Sequence, residues 1–180
     1  VAQPAYSDSA HLFIGGFPSA SDLRWTALTT DTYTSIYVTP GVNSWNGISS
    51  KVKLTKVTSG TYQISVNATT TTKAGLFGEA FPYCKNTSGV LVTQSLCSSN
   101  KNWLSGRANG YLNVINAFEL NTSEIISMVY AHETGHLLSL RHYPDEVGPY
   151  PSNVSVMSST FQSILAQPID KNHLKEKWGT

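Results

Sequence analysis

Apolar and polar residues alternate over Asp22–Leu28 (DLRWTAL), the pattern of a strand with one buried face. From Asp31 to Ile48 the apolar positions Tyr33, Ile36, Tyr37, Val42 and Trp45 recur at roughly helical spacing. Pro40–Gly41 must kink or divide that helix, because proline has no N–H to give and its ring crowds the preceding turn. Val52, Leu54 and Val57 predict a second strand, and Tyr62, Ile64 and Val66 a third. Gly75–Pro82 (GLFGEAFP) reads as extended and glycine-punctuated, and Tyr111–Phe118 (YLNVINAF) as a further strand. Strand, helix, then several strands is the order of an α+β chain.

A long helix follows. Asn121 is its expected cap, with Glu124 three residues later completing a capping-box-like pattern. Ile125, Ile126, Met128, Val129, Leu137 and Leu138 cover most of its circumference, so it is expected to be central and buried. The chain is loop-rich from Tyr143 to Ser159, and Pro168 suits the first turn of a short helix near Pro168–Trp178.

Composition narrows the class. A length of 180 residues suits one globular domain. Charged residues make up only 13% and the net charge is +1, so no strong field would steer the protein to nucleic acid or an anionic membrane. Lys171, Lys175 and Lys177 read as a solvated helix face. No apolar run approaches the roughly 18–20 residues of a membrane span. Val1 does not begin a signal peptide, so the chain reads as a mature or trimmed form.

Cys84 and Cys97 flank a loop-like stretch (CKNTSGVLVTQSLC). The preferred reading is one disulfide across it, worth about 3 kcal/mol in the chain-entropy picture and fitting an oxidising compartment. Two free thiols in a reducing compartment are the competing reading.

The chemistry is concentrated in His132-Glu133-Thr134-Gly135-His136. Residues four apart share one helix face, one turn along, so two imidazoles there can reach one metal ion. Glu133, rotated by about 100°, can approach a water at that ion without ligating it. Two histidines and a glutamate in an otherwise apolar helix are costly to bury without a partner. A catalytic zinc takes three protein ligands, and His142 is the candidate third, with Asp145 and Glu146 as fallbacks. An unbroken helix would carry His142 about 9 Å past His136, so the chain must leave the helix and turn back.

His132-Glu133-x-x-His136-x-x-Ser139-x-x-His142 resembles the metzincin zinc signature, H-E-x-x-H-x-x-G-x-x-H. Ser155-Val156-Met157-Ser158 looks like the Met-turn beneath the metal in that family. Within the metzincins the resemblance is to matrixin-like secreted proteases. Leu23–Leu28 resembles their first strand, Trp45-Asn46 and Val52–Gly60 their first helix and second strand, and Gly75–Pro82 the edge strand that binds extended peptide. The resemblance implies a twisted, mixed five-stranded sheet, two long helices, and a small irregular C-terminal part ending in a helix. It further implies one catalytic domain over residues 1–180, divided near residue 142.

By that resemblance His132, His136 and His142 hold one catalytic zinc, and Glu133 is the general base. Leu76, Phe77, Gly78, Glu79 and Ala80 line the substrate. The implied protein is a secreted, monomeric zinc endopeptidase acting on polypeptides, with no nucleic-acid or membrane partner. A zinc hydrolase of small amides or esters and a non-catalytic zinc-binding module are the alternatives.

Three positions depart from the family pattern. Ser139 replaces the usual glycine and is expected to leave the helix by another route. The histidine and aspartate cluster that holds structural zinc and calcium in animal matrixins is not evident, so calcium is left open. No tyrosine closely follows Met157, and neither Tyr143 nor Tyr150 is given a catalytic role.

Overall fold

The computed structural model describes residues 12–93, 102–142, 155–158 and 165–180. Six strands form one sheet in the order β2-β1-β3-β6-β4-β5. They are β1 (Ala20–Ala27), β2 (Val52–Lys56), β3 (Ile64–Thr69), β4 (Gly78–Lys85), β5 (Leu91–Thr93) and β6 (Ser105–Tyr111). β1 pairs in parallel with β2 and β3, and β3 in parallel with β6. β4 runs antiparallel to both β6 and β5. The sheet is therefore mixed, as expected, but has six strands rather than five.

Both strands missed by the hydrophobic pattern have a physical reason. β6 (SGRANGY) is central, and helix α4 (Ser123–Leu137) crosses it so closely that side chains at its glycines have no room. A Cβ on Gly106 would stand 2.6 Å from Leu137, and one on Gly110 would stand 2.7 Å from the Tyr130 hydroxyl. β5 is three residues long and closes a hairpin inside the stretch read as loop.

The first helical stretch is built in three pieces. α1 (Asp31–Tyr33) is capped by Thr30, whose side chain accepts from the Tyr33 amide. A π-helical segment (Thr34–Val38) follows, and α2 (Thr39–Asn43) completes it. The expected division thus appears as a widened turn just before Pro40. There the Thr39 amide reaches back to Thr34, and proline has no amide to continue the ladder.

Tyr111–Phe118 is not a strand. Tyr111 ends β6, and Leu112–Ala117 is helix α3. Tyr111, Val114, Ile115 and Phe118 fall at i, i+3, i+4 and i+7, so the apolar set satisfies a helix as readily as a strand. Helix α4 (Ser123–Leu137) packs on β6, β4, the π segment and α2. Its cap is Thr122, which accepts from the Ile125 amide, rather than Asn121. α5 (Pro168–Trp178) begins as expected at Pro168, with a Gln167–Asp170 capping box. The core between sheet and helices contains Trp25, Trp45, Ile64, Val66, Tyr130 and Leu137, all fully buried. Among the described residues no helix is long and apolar enough to cross a membrane.

Candidate metal centre

Helix α4 presents His132 and His136 on one face, and the chain returns His142 to the same point. The three Nε2 atoms form a nearly equilateral triangle. His132–His136 and His132–His142 are 3.1 Å apart and His136–His142 3.2 Å. Tetrahedral zinc with Zn–N of about 2.0–2.1 Å requires ligand nitrogens roughly 3.3–3.4 Å apart, so the donor set fits zinc closely.

The far side of each helix ring is fixed. His132 Nδ1 donates to the Val156 carbonyl at 2.7 Å, and His136 Nδ1 to the Leu140 carbonyl at 2.8 Å. Both Nε2 atoms therefore present lone pairs, and two lone pairs facing at 3.1 Å call for a cation between them. Burial pushes the pKa of His132 down to about 4 and that of His136 to about 3, against the pull of these carbonyls. Neighbouring rings contribute the rest: His142 acts on His132, and His132 and His142 act on His136. Both rings are neutral at neutral pH, the form in which an imidazole can bind a metal. Asp145 and Glu146, the fallback ligands, lie outside the described residues.

The turn between His136 and His142 corrects one expectation. Ser139 takes no alternative route; it adopts the left-handed conformation itself, with φ 71°. The Ser139 amide donates to His136 and the Leu140 amide to Gly135, the paired bonds of a Schellman motif. The Ser139 hydroxyl donates to the Gly15 carbonyl at 3.0 Å in the buried interior. That bond offsets strain a glycine would not feel. The same turn presents the Leu140 carbonyl to His136.

Met157 lies under α4, where Gly135 leaves room for its sulfur and for the Trp45 ring. Met157 thus packs against the helix that carries His132 and His136. Asp170 holds this turn and was missed by sequence reasoning. Fully buried, it accepts from the Ser155 hydroxyl at 2.6 Å, the Val156 amide at 2.9 Å and the Gln167 amide at 2.8 Å. Burial raises its pKa, while hydrogen bonds from Ser155 and from the Gln167, Val156 and Met157 backbone pull it back. Its place at the third position of α5 was a capping-box signal in the sequence, but nothing there tied it to Met157.

Glu133 is buried, next to β4. A Cβ on Gly78 would meet its Oε1 at 2.7 Å, so glycine makes room for the carboxylate. Burial pushes the Glu133 pKa well above the usual carboxylate range, and the Glu79 carboxylate pushes it in the same direction. Glu79 is itself held by Lys73 at 2.9 Å and by the Tyr111 hydroxyl at 2.8 Å.

A cleft of about 360 Å³ runs along this site, walled by the three histidines, Glu133 and Leu76–Ala80. Gly78, Glu79 and Ala80 belong to β4, and Leu76 and Phe77 lead into it. β6 covers one side of Gly78–Pro82, whereas β5 pairs only with Tyr83, Cys84 and Lys85. Among the described residues, the outer edge of Gly78–Pro82 has no strand beside it. Phe13, also in the wall and not anticipated, lies with its ring centroid 6.2 Å from that of His136.

The fold is shared with known structures. Two structures of myroilysin superpose on the chain with a TM-score of 0.55 each, covering 92% of it. One aligns over 86% of its own length at 17% identity, the other over 96% at 16%. The chain shares its fold with myroilysin. The histidine triad closes at the position the metzincin signature implies. At this level of identity the likeness extends to the fold alone. No protein-family model matches the chain, and no curated protein matches it.

Cys84 is buried on β4 and is not a free thiol. Cys97 lies outside the described residues.

Proposed function

We propose that the protein is a secreted zinc-dependent endopeptidase. The observation that carries this reading is the convergence of three imidazole nitrogens beside a buried carboxylate and a strand edge that no strand covers among the described residues. His132, His136 and His142 would hold the ion. A zinc ion so held supplies Lewis-acid polarisation of a carbonyl and makes water acidic enough to react at neutral pH.

The remaining work falls to the chain itself. Glu133 accepts the proton released by the attacking water and passes it to the departing amine. Its buried setting makes it a stronger base than an exposed carboxylate, and a dication held by the three histidines would act in the opposite sense, favouring its ionised form. Gly78–Pro82 offers main-chain groups to an extended substrate, which would add as a further strand. Met157 and Trp45 fill the space under the ligand helix, and Trp45 Nε1 donates to the Ala131 carbonyl at 2.9 Å.

A strand edge suits a polypeptide better than a small amide or ester, which could use the ion but not the edge. Turnover of an unfolded protein should therefore exceed that of blocked dipeptides by orders of magnitude in kcat/KM. Equal values would favour the small-substrate hydrolase. We further read residues 1–180 as one catalytic domain acting as a monomer, with Cys84 bridged to Cys97. Intact mass with and without reduction and alkylation tests the bridge.

A further inference from the structure

Lys177 stands on the last turn of α5 and does not line the cleft. Its ammonium donates to three successive carbonyls, Phe13 at 2.7 Å, Ile14 at 3.2 Å and Gly15 at 3.1 Å. An ammonium has three N–H donors, so all are used. The charge is met by carbonyl dipoles, with no carboxylate among its contacts within the described residues.

The same segment is fastened on its other side to the exit of α4. The Phe13 amide donates to the Ser139 carbonyl at 2.8 Å, and the Ser139 hydroxyl donates to the Gly15 carbonyl. Leu12 bridges Leu140, whose carbonyl fixes His136. Gly15 O is thus shared between Lys177 and Ser139, and residues 12–16 form a strap between α5 and the ligand turn.

We propose that Lys177 is a positioning residue for the metal centre. Its ammonium pins the strap so that the Gly15 carbonyl stays where the strained Ser139 needs it.

A non-glycine residue in the left-handed region costs about 1–2 kcal/mol and persists only where its surroundings over-determine it. Here the strap does so, and Lys177 holds its Phe13–Gly15 carbonyls while the Trp103 amide holds that of Gly16 at 2.8 Å. Phe13 travels with it, bringing its ring against His136 and Trp103. Lysine is specified over arginine, because a planar guanidinium fork cannot converge on three oxygens around one nitrogen.

The inference rests on reading the triad as a metal centre, and its test is partly independent of that reading. In the metal-free protein, Lys177→Met keeps the aliphatic stem but removes the donors. Amide exchange at Phe13 should accelerate at least tenfold, while that of Val66 in β3 stays unchanged. In the zinc-loaded protein, release of zinc to a chelator should accelerate at least fivefold. Lys177→Arg should restore neither. In a Ser139→Gly background the effect of Lys177→Met on zinc release should shrink, because glycine holds the turn without a hydroxyl.

Unchanged Phe13 exchange and zinc release would overturn the proposal, as would an effect of equal size in the wild-type and Ser139→Gly backgrounds. If Lys177→Met does not fold, Lys177→Gln, which keeps an amide donor, decides by the same readouts. Failure of the metal reading would look different: wild type would take up no zinc, or His136→Ala would take up as much, while the exchange result still judged Lys177.

Discussion

The backbone of Val156 is bonded on both sides. Its amide donates to the Asp170 carboxylate at 2.9 Å, and its carbonyl accepts from His132 at 2.7 Å. A buried acid on α5 is therefore linked through one residue, Val156, to His132 on α4. Asp170→Ala should leave the Ser155 hydroxyl and the Val156 and Gln167 amides without their acceptor. The expected cost is upwards of about 3 kcal/mol in urea unfolding, together with faster loss of zinc. A variant as stable as wild type would show that the Met-turn holds itself.

Gly78, the first residue of β4, leaves room for the Glu133 carboxylate. Its Cβ would lie 2.7 Å from Glu133 Oε1, 2.8 Å from Val129 and 2.9 Å from the Asn109 carbonyl, so neither side can yield freely. Gly78→Ala should push strand and carboxylate apart. Displacements of this size cost on the order of 10²-fold in rate. A fall in kcat with zinc content unchanged is the expected result. Wild-type kcat would mean that the carboxylate is not confined here.

Ser139→Ala keeps the strained backbone and removes the bond to Gly15. It should destabilise the protein by roughly 1–2 kcal/mol, whereas Ser139→Gly exchanges strain relief for the lost bond and should change stability by less than about 1 kcal/mol. Denaturant unfolding of the two variants side by side reads the difference. Equal losses would contradict the role given to the hydroxyl.

The ligand rings make a prediction about pH. His132 and His136 have pKa values near 4 and 3, below the ordinary 6.5. Between these values and about 6.5 the unfolded chain binds protons that the fold does not. The stability each ring contributes is therefore present above about 6.5 and is lost as pH falls towards 4 and 3. Nitrogen NMR of the metal-free protein should find both rings neutral at pH 6, with the proton on Nδ1. Titration near 6.5 would mean that neither ring is held as described.

What the sequence disclosed follows from how local each signal is. His132, Glu133 and His136 were legible because helical spacing alone puts them together, and β1 because its alternation is local. β6 was hidden because its glycines answer to Leu137 and Tyr130, residues that arrive only with α4. Ser139 looked like a defect because the carbonyl that compensates it belongs to Gly15, 124 positions away in the chain. Lys177 was read as part of a solvated helix face and Asp170 was not singled out, since a terminal lysine and a first-turn acid both suit the helix dipole without further partners. Their second roles depend on segments that only the fold brings into contact.

The most direct test of the central claim is digestion of an unfolded protein by wild type and Glu133→Ala, with zinc content measured on both. Wild type should cleave, and the variant should hold the same zinc while cleaving roughly 10²–10⁴-fold more slowly, the contribution of a positioned acid–base group. Equal cleavage by a zinc-loaded variant, or no cleavage by zinc-loaded wild type, would contradict the account.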